Sequence, residues 1–215
     1  MPVVAGKPDR YREVIREILP ELRSGAILLS ITPPFTLQTL RTLVERDDIT
    51  VARSMPNLAA SVGHGITALV EDPQLSASER QLLQDFATAQ GEIVWLREDQ
   101  IAGISSLIGS SPAYLAMVLE ALAEGAIELG IPAPQAHLLA AEAMGGTAAL
   151  IRQDGLHPAV LRDQVCSAGG TSIVGVNHLE QGFKGALITA MRLSAQRFTD
   201  LEAEMSTSLE EEVEA

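Results

Sequence analysis

The stretch AILLSITPPFTLQTLRTLVERDDITVA, residues 26–52, decides the architecture. Ala26–Ile31 is a short apolar run broken only by Ser30, the pattern of a buried strand. Leu37, Leu40, Leu43 and Val44 then recur at spacings of three and four, which predicts a helix over Leu37–Val44. Ile49–Ala52 returns to a short strand pattern. Working outward, Val3–Ala5 is another brief apolar run. Asp9–Leu22 carries Val14, Ile15, Ile18, Leu19 and Leu22 at helical spacing. Ile66–Val70 and Ile93–Leu96 complete the strands, with a helix over Ser78–Ala89 between them. Alternation of this kind over residues 1–97 is the signature of a mostly parallel sheet flanked by helices.

From Asp99 onward strand signals stop. Ser110–Gly130 reads as one long helix, with Ser110 as its cap and Pro112 in the first turn. Ala133–Arg152 reads as another, apolar on nearly every side. Such a helix needs burial all round, and a helical layer of this size can hardly enclose it, so a second subunit is expected. Shorter helices follow over His157–Val165, Thr171–Gln181 and Phe183–Leu201. Residues 98–201 therefore form an all-α domain, and 202–215 an acidic tail whose Glu202, Glu204, Glu210, Glu211, Glu212 and Glu214 predict a solvated, frayed end.

Composition narrows the class. Hydrophobic residues make up 47% and aromatics 3%, so Ala, Leu, Val and Ile must fill the core, as in close-packed helices. A net charge of −13 argues against a nucleic-acid partner. The lone Cys166 excludes an intrachain disulfide and fits a reducing, cytoplasmic setting. No signal peptide is visible, and Leu138–Ile151, read as the most apolar stretch, is too short to span a bilayer and contains Glu142.

Three stretches could carry chemistry. Ser167-Ala168-Gly169-Gly170-Thr171-Ser172 precedes a helix: its glycines permit close backbone approach, and free amides at a helix start attract a carboxylate or phosphate. The same loop is also how an ordinary helix is capped. Gly109–Tyr114 offers Ser110, Ser111 and Pro112, again compatible with a plain helix start. Arg53-Ser54-Met55-Pro56-Asn57, followed by Gly63-His64-Gly65, falls at the end of a strand, where ligands of open α/β sheets bind, and reads as a ligand-facing loop or a turn. His64, His137, His157 and His178 lack ligand spacing, so no metal site is expected. Cys166 has no evident base beside it and reads as a small buried residue.

Together these stretches resemble the pyrroline-5-carboxylate reductase family. The landmarks, in order, are Lys7-Pro8, Arg53-x-Met55-Pro56-Asn57, Gly63-x-Gly65-x-Thr67, Pro112-Ala113-Tyr114, Glu120-Ala121, Gly125 with Gly130, His157-Pro158-x-x-Leu161-Arg162-Asp163-x-Val165 and Ser167-x-Gly169-Gly170-Thr171. The resemblance spans about Val3–Leu201. It implies a partial Rossmann-like NADPH- or NADH-binding domain joined to a helical domain that interlocks with its twin in a homodimer. It implies hydride transfer to the C=N carbon of 1-pyrroline-5-carboxylate, giving proline. It places the carboxylate of this small cyclic substrate on Ser167, Gly169, Gly170, Thr171 and Ser172, with the Ser172 hydroxyl near the ring nitrogen, and the cofactor on Lys7, Pro8, Met55, Pro56 and Asn57.

The departures cluster on the cofactor side. No strand, Gly-rich turn and helix of the G-x-G-x-x-G kind precedes Lys7-Pro8, which predicts weak or no dinucleotide binding. A small Ala-Gly turn of the family is Thr32-Pro33-Pro34-Phe35 here, and Leu58-Ala59 stands where Thr-Pro is usual. On the substrate side Ser111, Ala168 and Ser172 replace Gly, Pro and Thr. Three readings follow: a reductase, a non-catalytic homologue that keeps the dimer and a carboxylate pocket, or a reductase of another imine or hydroxyacid.

Overall fold

A computed structural model describes the backbone at residues 1–6 and 10–214, with side chains described as far as Ser208. Lys7, Pro8 and the start of the Asp9–Leu22 helix lie outside the described residues. The chain forms a five-stranded sheet and a set of helices, in two compact units. The strands are β1 (Val3–Val4), β2 (Ile27–Ser30), β3 (Thr50–Pro56), β4 (Gly65–Val70) and β5 (Gly91–Leu96), in spatial order β1-β2-β3-β4-β5. Helices α1 (Tyr11–Ile18), α2 (Leu37–Val44) and α3 (Ala77–Thr88) connect them. β1, β2 and β3 are mutually parallel, β3 and β4 antiparallel, β4 and β5 parallel.

β2 is buried at every position, as its apolar run requires, and splits its side chains between two cores. Leu28 joins Leu40, Val44, Tyr11, Ile15 and Phe35 on the face covered by α1 and α2. Ile27 and Leu29 join Leu69, Leu83 and Ala87 on the face covered by α3. α2 is capped by Thr36, whose Oγ1 accepts from the Thr39 amide at 3.0 Å. α3 opens with a capping box of Ser76 and Glu79. Hydrogen bonds from Ser76, then Thr50, hold the Glu79 carboxyl below its ordinary pKa.

Several sequence expectations need correction. The first helix stops at Ile18, and Leu19–Glu21 tightens into a 3-10 turn, because Pro20 has no amide to continue the ladder. The Ile49–Ala52 strand extends to Pro56, exchanging a parallel partner for an antiparallel one after Arg53. Ser110 caps nothing. Helix runs through α4 (Ile101–Ile104) and a π-type segment, Ser105–Ser110, into α5 (Ser111–Glu128). The continuous helix Glu98–Glu128 is 31 residues long and, among the described residues, it and not Leu138–Ile151 meets the length and composition of a membrane span.

Beyond α5 lie α6 (Ala133–Asp154), α7 (Pro158–Val165), α8 (Thr171–Leu179) and α9 (Phe183–Glu214). One compact unit is Met1–Ser110 with Met191–Ala215, the other Ser111–Ala190, whereas the sequence placed its divisions at 97/98 and 201/202. The tail expected to fray is helix through Glu214. Phe198 and Met205 pack on the sheet's core, so α9 returns apolar side chains to the first unit. In the second unit α5 and α6 form a hairpin over a small cluster of Ala123, Ala136 and Ala140.

Candidate functional site

The Ser167–Ser172 loop joins α7 to α8. α7 begins as read: His157 is its cap, accepting at Nδ1 from the Ala159 amide (3.2 Å), and Pro158 opens the first turn. It ends at Val165. The chain then turns through Gly169, whose φ of +69° lies in the left-handed region that glycine favours. The Gly170 amide closes this turn by donating to the Ser167 carbonyl at 3.0 Å, so it is not offered to a ligand as the sequence suggested. Thr171, Ser172 and Ile173 open α8, and their amides have no intrahelical acceptor. A β-carbon at Gly170 would sit 2.3 Å from Ser167 Oγ and 3.1 Å from the Ser167 carbonyl oxygen, so a larger residue would have to displace the Ser167 side chain. Thr171 is exposed and Ser172 half-buried. The product is a turn presenting three amides, two hydroxyls and the positive end of a helix dipole, suited to a carboxylate.

Arg162 of α7 donates to Asp163 and, at 2.9 Å, to Glu180 just past α8. Its pKa is raised, first by the hydrogen bond to Asp163. Both partners are exposed, so the bridge orients the two helices more than it stabilises them.

The Arg53–Asn57 stretch is not a loop. Arg53 to Pro56 are strand, and Met55 is buried. Asn57 Oδ1 accepts from the Ile66 amide at 3.1 Å, which fixes the start of β4 and leaves the carboxamide nitrogen as a donor. Gly65 has a structural reason: it pairs with Gly91 across the sheet, and a β-carbon on it would lie 2.6 Å from the Ala60 Cα. The Thr32–Phe35 turn follows β2 at the carboxyl edge of the parallel strands. Thr32 Oγ1 donates to the Gly6 carbonyl (3.2 Å), and Phe35 stacks on Tyr11 at 4.6 Å between ring centroids. Tyr11 is fully buried, and among the described residues no well-formed hydrogen bond reaches its hydroxyl. Burial pushes its pKa up to about 12, against smaller opposing effects of Ser30 and Arg53.

Two polar constellations had no sequence signal because their members are far apart in the chain. Arg53 donates to Glu98 (2.8 Å), to the Pro33 carbonyl and to Glu202. In the π-type segment Ser106 donates to the Met191 carbonyl (2.8 Å) and Ser110 Oγ meets Ser194 Oγ (2.9 Å). Among the described residues no three His, Cys, Asp or Glu side chains converge, and Cys166 is a half-buried free thiol.

A largely parallel, two-faced sheet with an anion-suited helical turn further along the chain defines a Rossmann-like α/β protein with a helical companion region. The dimerisation region of pyrroline-5-carboxylate reductases matches residues 98–201. A pyrroline-5-carboxylate reductase 3 from Macaca fascicularis is 35% identical over 93% of this chain and 73% of its own length, and the Escherichia coli enzyme is 35% identical over 87% and 70%. The chain belongs to the pyrroline-5-carboxylate reductase family. Among solved structures, the reductase of Coxiella burnetii superposes with a TM-score of 0.85 at 29% identity, covering 93% of this chain and 74% of that one. That of Plasmodium falciparum, with NADP bound, shares the fold with a TM-score of 0.84 at 23% identity, covering 93% of this chain and 80% of its own.

Proposed function

We propose that this chain reduces 1-pyrroline-5-carboxylate to proline, as a homodimer joined through its helical region. NADPH or NADH would supply the hydride to the C=N carbon. The observation that carries this reading is the α7–α8 turn, whose three amides at the start of α8 suit a carboxylate. In this reading the Thr171, Ser172 and Ile173 amides and the Thr171 hydroxyl hold the substrate carboxylate. Ser167, Gly169 and Gly170 shape the turn, and Ser172 Oγ donates near the ring nitrogen, which gains a proton as the carbon gains hydride.

Lys7, Pro8, Met55, Pro56 and Asn57 serve the cofactor side. The residues at the carboxyl edge of β2 and β3 suit a flat, largely apolar nicotinamide. Pro33 and Pro34 leave the turn after β2 without two amides, and the Asn57 carboxamide offers a donor. The same prolines cannot cradle a phosphate. The apolar side chains of Glu98–Glu128 and of α6 would be covered by the partner copy. A structural homologue without catalysis would need none of the α7–α8 amides.

Titration of the labelled protein with proline, followed by chemical shift, tests the carboxylate site, and consumption of NADPH or NADH with pyrroline-5-carboxylate tests turnover. Saturable shifts in residues 167–173 are expected, with binding in the millimolar to high-micromolar range, about −4 kcal/mol or somewhat stronger. Gly170→Val should abolish them and Ser172→Ala weaken them modestly. A spectrum unmoved by proline at tens of millimolar, roughly ten times the weakest affinity expected, would reduce the loop to a helix cap.

A further inference from the structure

Arg53 sits where β3 changes partners, in parallel register with Ser30 while Ser54 already faces Leu69. Its guanidinium is 2% exposed, too buried to meet a ligand itself. A charge so placed persists only when its donors are matched. They are matched from three segments: the carbonyl of Pro33, the carboxylate of Glu98 and that of Glu202, with the Phe198 ring centroid 6.0 Å away. Glu98 Oε1 also accepts from the Leu37 amide at 2.7 Å. Both ends of the Pro33–Leu37 segment are therefore tied to one ionic cluster, through the Pro33 carbonyl and through Glu98. The segment is the turn after a parallel strand, at the edge where open α/β sheets bind ligands. With prolines at 33 and 34 it has few amides of its own to hold its shape. Glu202 follows the matched dimerisation region by one residue and belongs to the part of α9 that joins the first compact unit.

Resting on the reductase reading, we propose that Arg53 is a positioning residue, locked by Glu98 and Glu202 so that it holds the Pro33–Leu37 turn as the wall of the nicotinamide end of the cofactor crevice. Glu202 makes the last turns of α9 part of that site. A ligand that meets a wall already in shape avoids the cost of ordering it, so loosening the cluster weakens cofactor binding without touching the carboxylate loop.

The test uses the full chain and three variants, Glu202→Gln, Arg53→Lys and Glu204→Gln. Glu204 pairs with Arg197 on the exposed side of α9 at 2.6 Å, so its substitution removes the same charge without reaching Arg53. The readouts are amide exchange over residues 31–37, the Kd for NADPH by fluorescence titration, and proline binding. In Glu202→Gln, which loses a hydrogen bond to a charged group, exchange should quicken and the NADPH Kd rise, each about tenfold. Proline binding should stay within about twofold. Arg53→Lys should act in the same direction and more strongly, because one ammonium cannot span three acceptors. If it fails to fold, Glu202→Gln alone decides.

Glu204→Gln should leave all three readouts within about twofold of the wild type. A Glu202→Gln chain whose NADPH affinity matches or exceeds the wild type's overturns the proposal. So does a Glu204→Gln chain that weakens as much, which would indicate a general charge effect. A wild-type chain that takes up no NADPH overturns the reductase reading, and this inference with it.

Discussion

The sheet and the α5–α6 hairpin solve the same problem unequally. Around β2 the side chains of Leu28, Leu40, Leu69 and Leu83 reach essentially zero exposure within one chain. On the hairpin only alanines are buried, while Met117 stays 68% and Leu139 54% exposed. Sheet strands and their covering helices present complementary apolar faces, so one chain completes their core. Two helices share one narrow seam, and the rest of a helix apolar all round has nothing from its own hairpin to cover it. The first unit buries large apolar side chains within one chain; the second buries only alanines.

The largest effect should come from placing a charge on the exposed apolar side of the hairpin. Ala148 lines an apolar groove with Leu122, Met144, Thr147 and Ile151. Ala148→Glu or Ala149→Glu would put an unpaired charge in the proposed interface, costing about 3–5 kcal/mol and dissociating the dimer in sedimentation experiments. A variant that remains a well-folded dimer would mean the groove faces solvent. The matching substitution in the sheet's core is Leu83→Ala, expected to cost about 2–5 kcal/mol by denaturant unfolding. It should leave the subunit stoichiometry unchanged; dissociation would erase the contrast between the units.

Tyr11 sharpens the comparison from the pH side. Its folded-state pKa is raised from 10.0 to about 12, so between these values the unfolded chain loses its proton first. Stability is then whole below pH 10 and falls as pH rises to 12, by about 2–3 kcal/mol in total. Absorbance should show a tyrosinate appearing only near pH 12, missing in Tyr11→Phe. A tyrosine spectrum fully titrated near pH 10 would mean the sheet's core admits water at Tyr11. The smallest effect concerns Glu45, which ends α2 with a φ of +49°. Glu45→Gly should stabilise the sheet unit by about 0.5–1 kcal/mol in thermal unfolding, without altering the dimer, as the left-handed strain outweighs the entropy of glycine. A lower melting temperature would show that the Glu45 side chain contributes more than its backbone costs.

Legibility followed the range of the forces involved. β2, α2, α3 and the entry to α7 were readable because burial period and capping act within a turn or a strand. The extension of β3 was not, since Ser54-Met55-Pro56 has turn composition and is held as strand by the Thr67–Leu69 ladder. The Ser110-Ser111-Pro112 signal misled because Ser106 and Ser110 found partners on α9 at Met191 and Ser194, and the helix runs on through them. Of the candidate site, the α7–α8 turn was visible as Gly-Gly before a helix. The use of the Gly170 amide within the turn was not, because a backbone bond to Ser167 leaves no mark in composition.

By itself the sequence determined the sheet of β1 to β5, the switch to helices after residue 97 and the resemblance to the reductase family. Each rests on local periodicity or on motifs in fixed order. Only the tertiary structure decided that the acidic tail is helical and that Glu202 meets Arg53. Pairing across 149 residues depends on where α9 returns in space, and a buried guanidinium selects its carboxylates by proximity, which no run of neighbouring residues records.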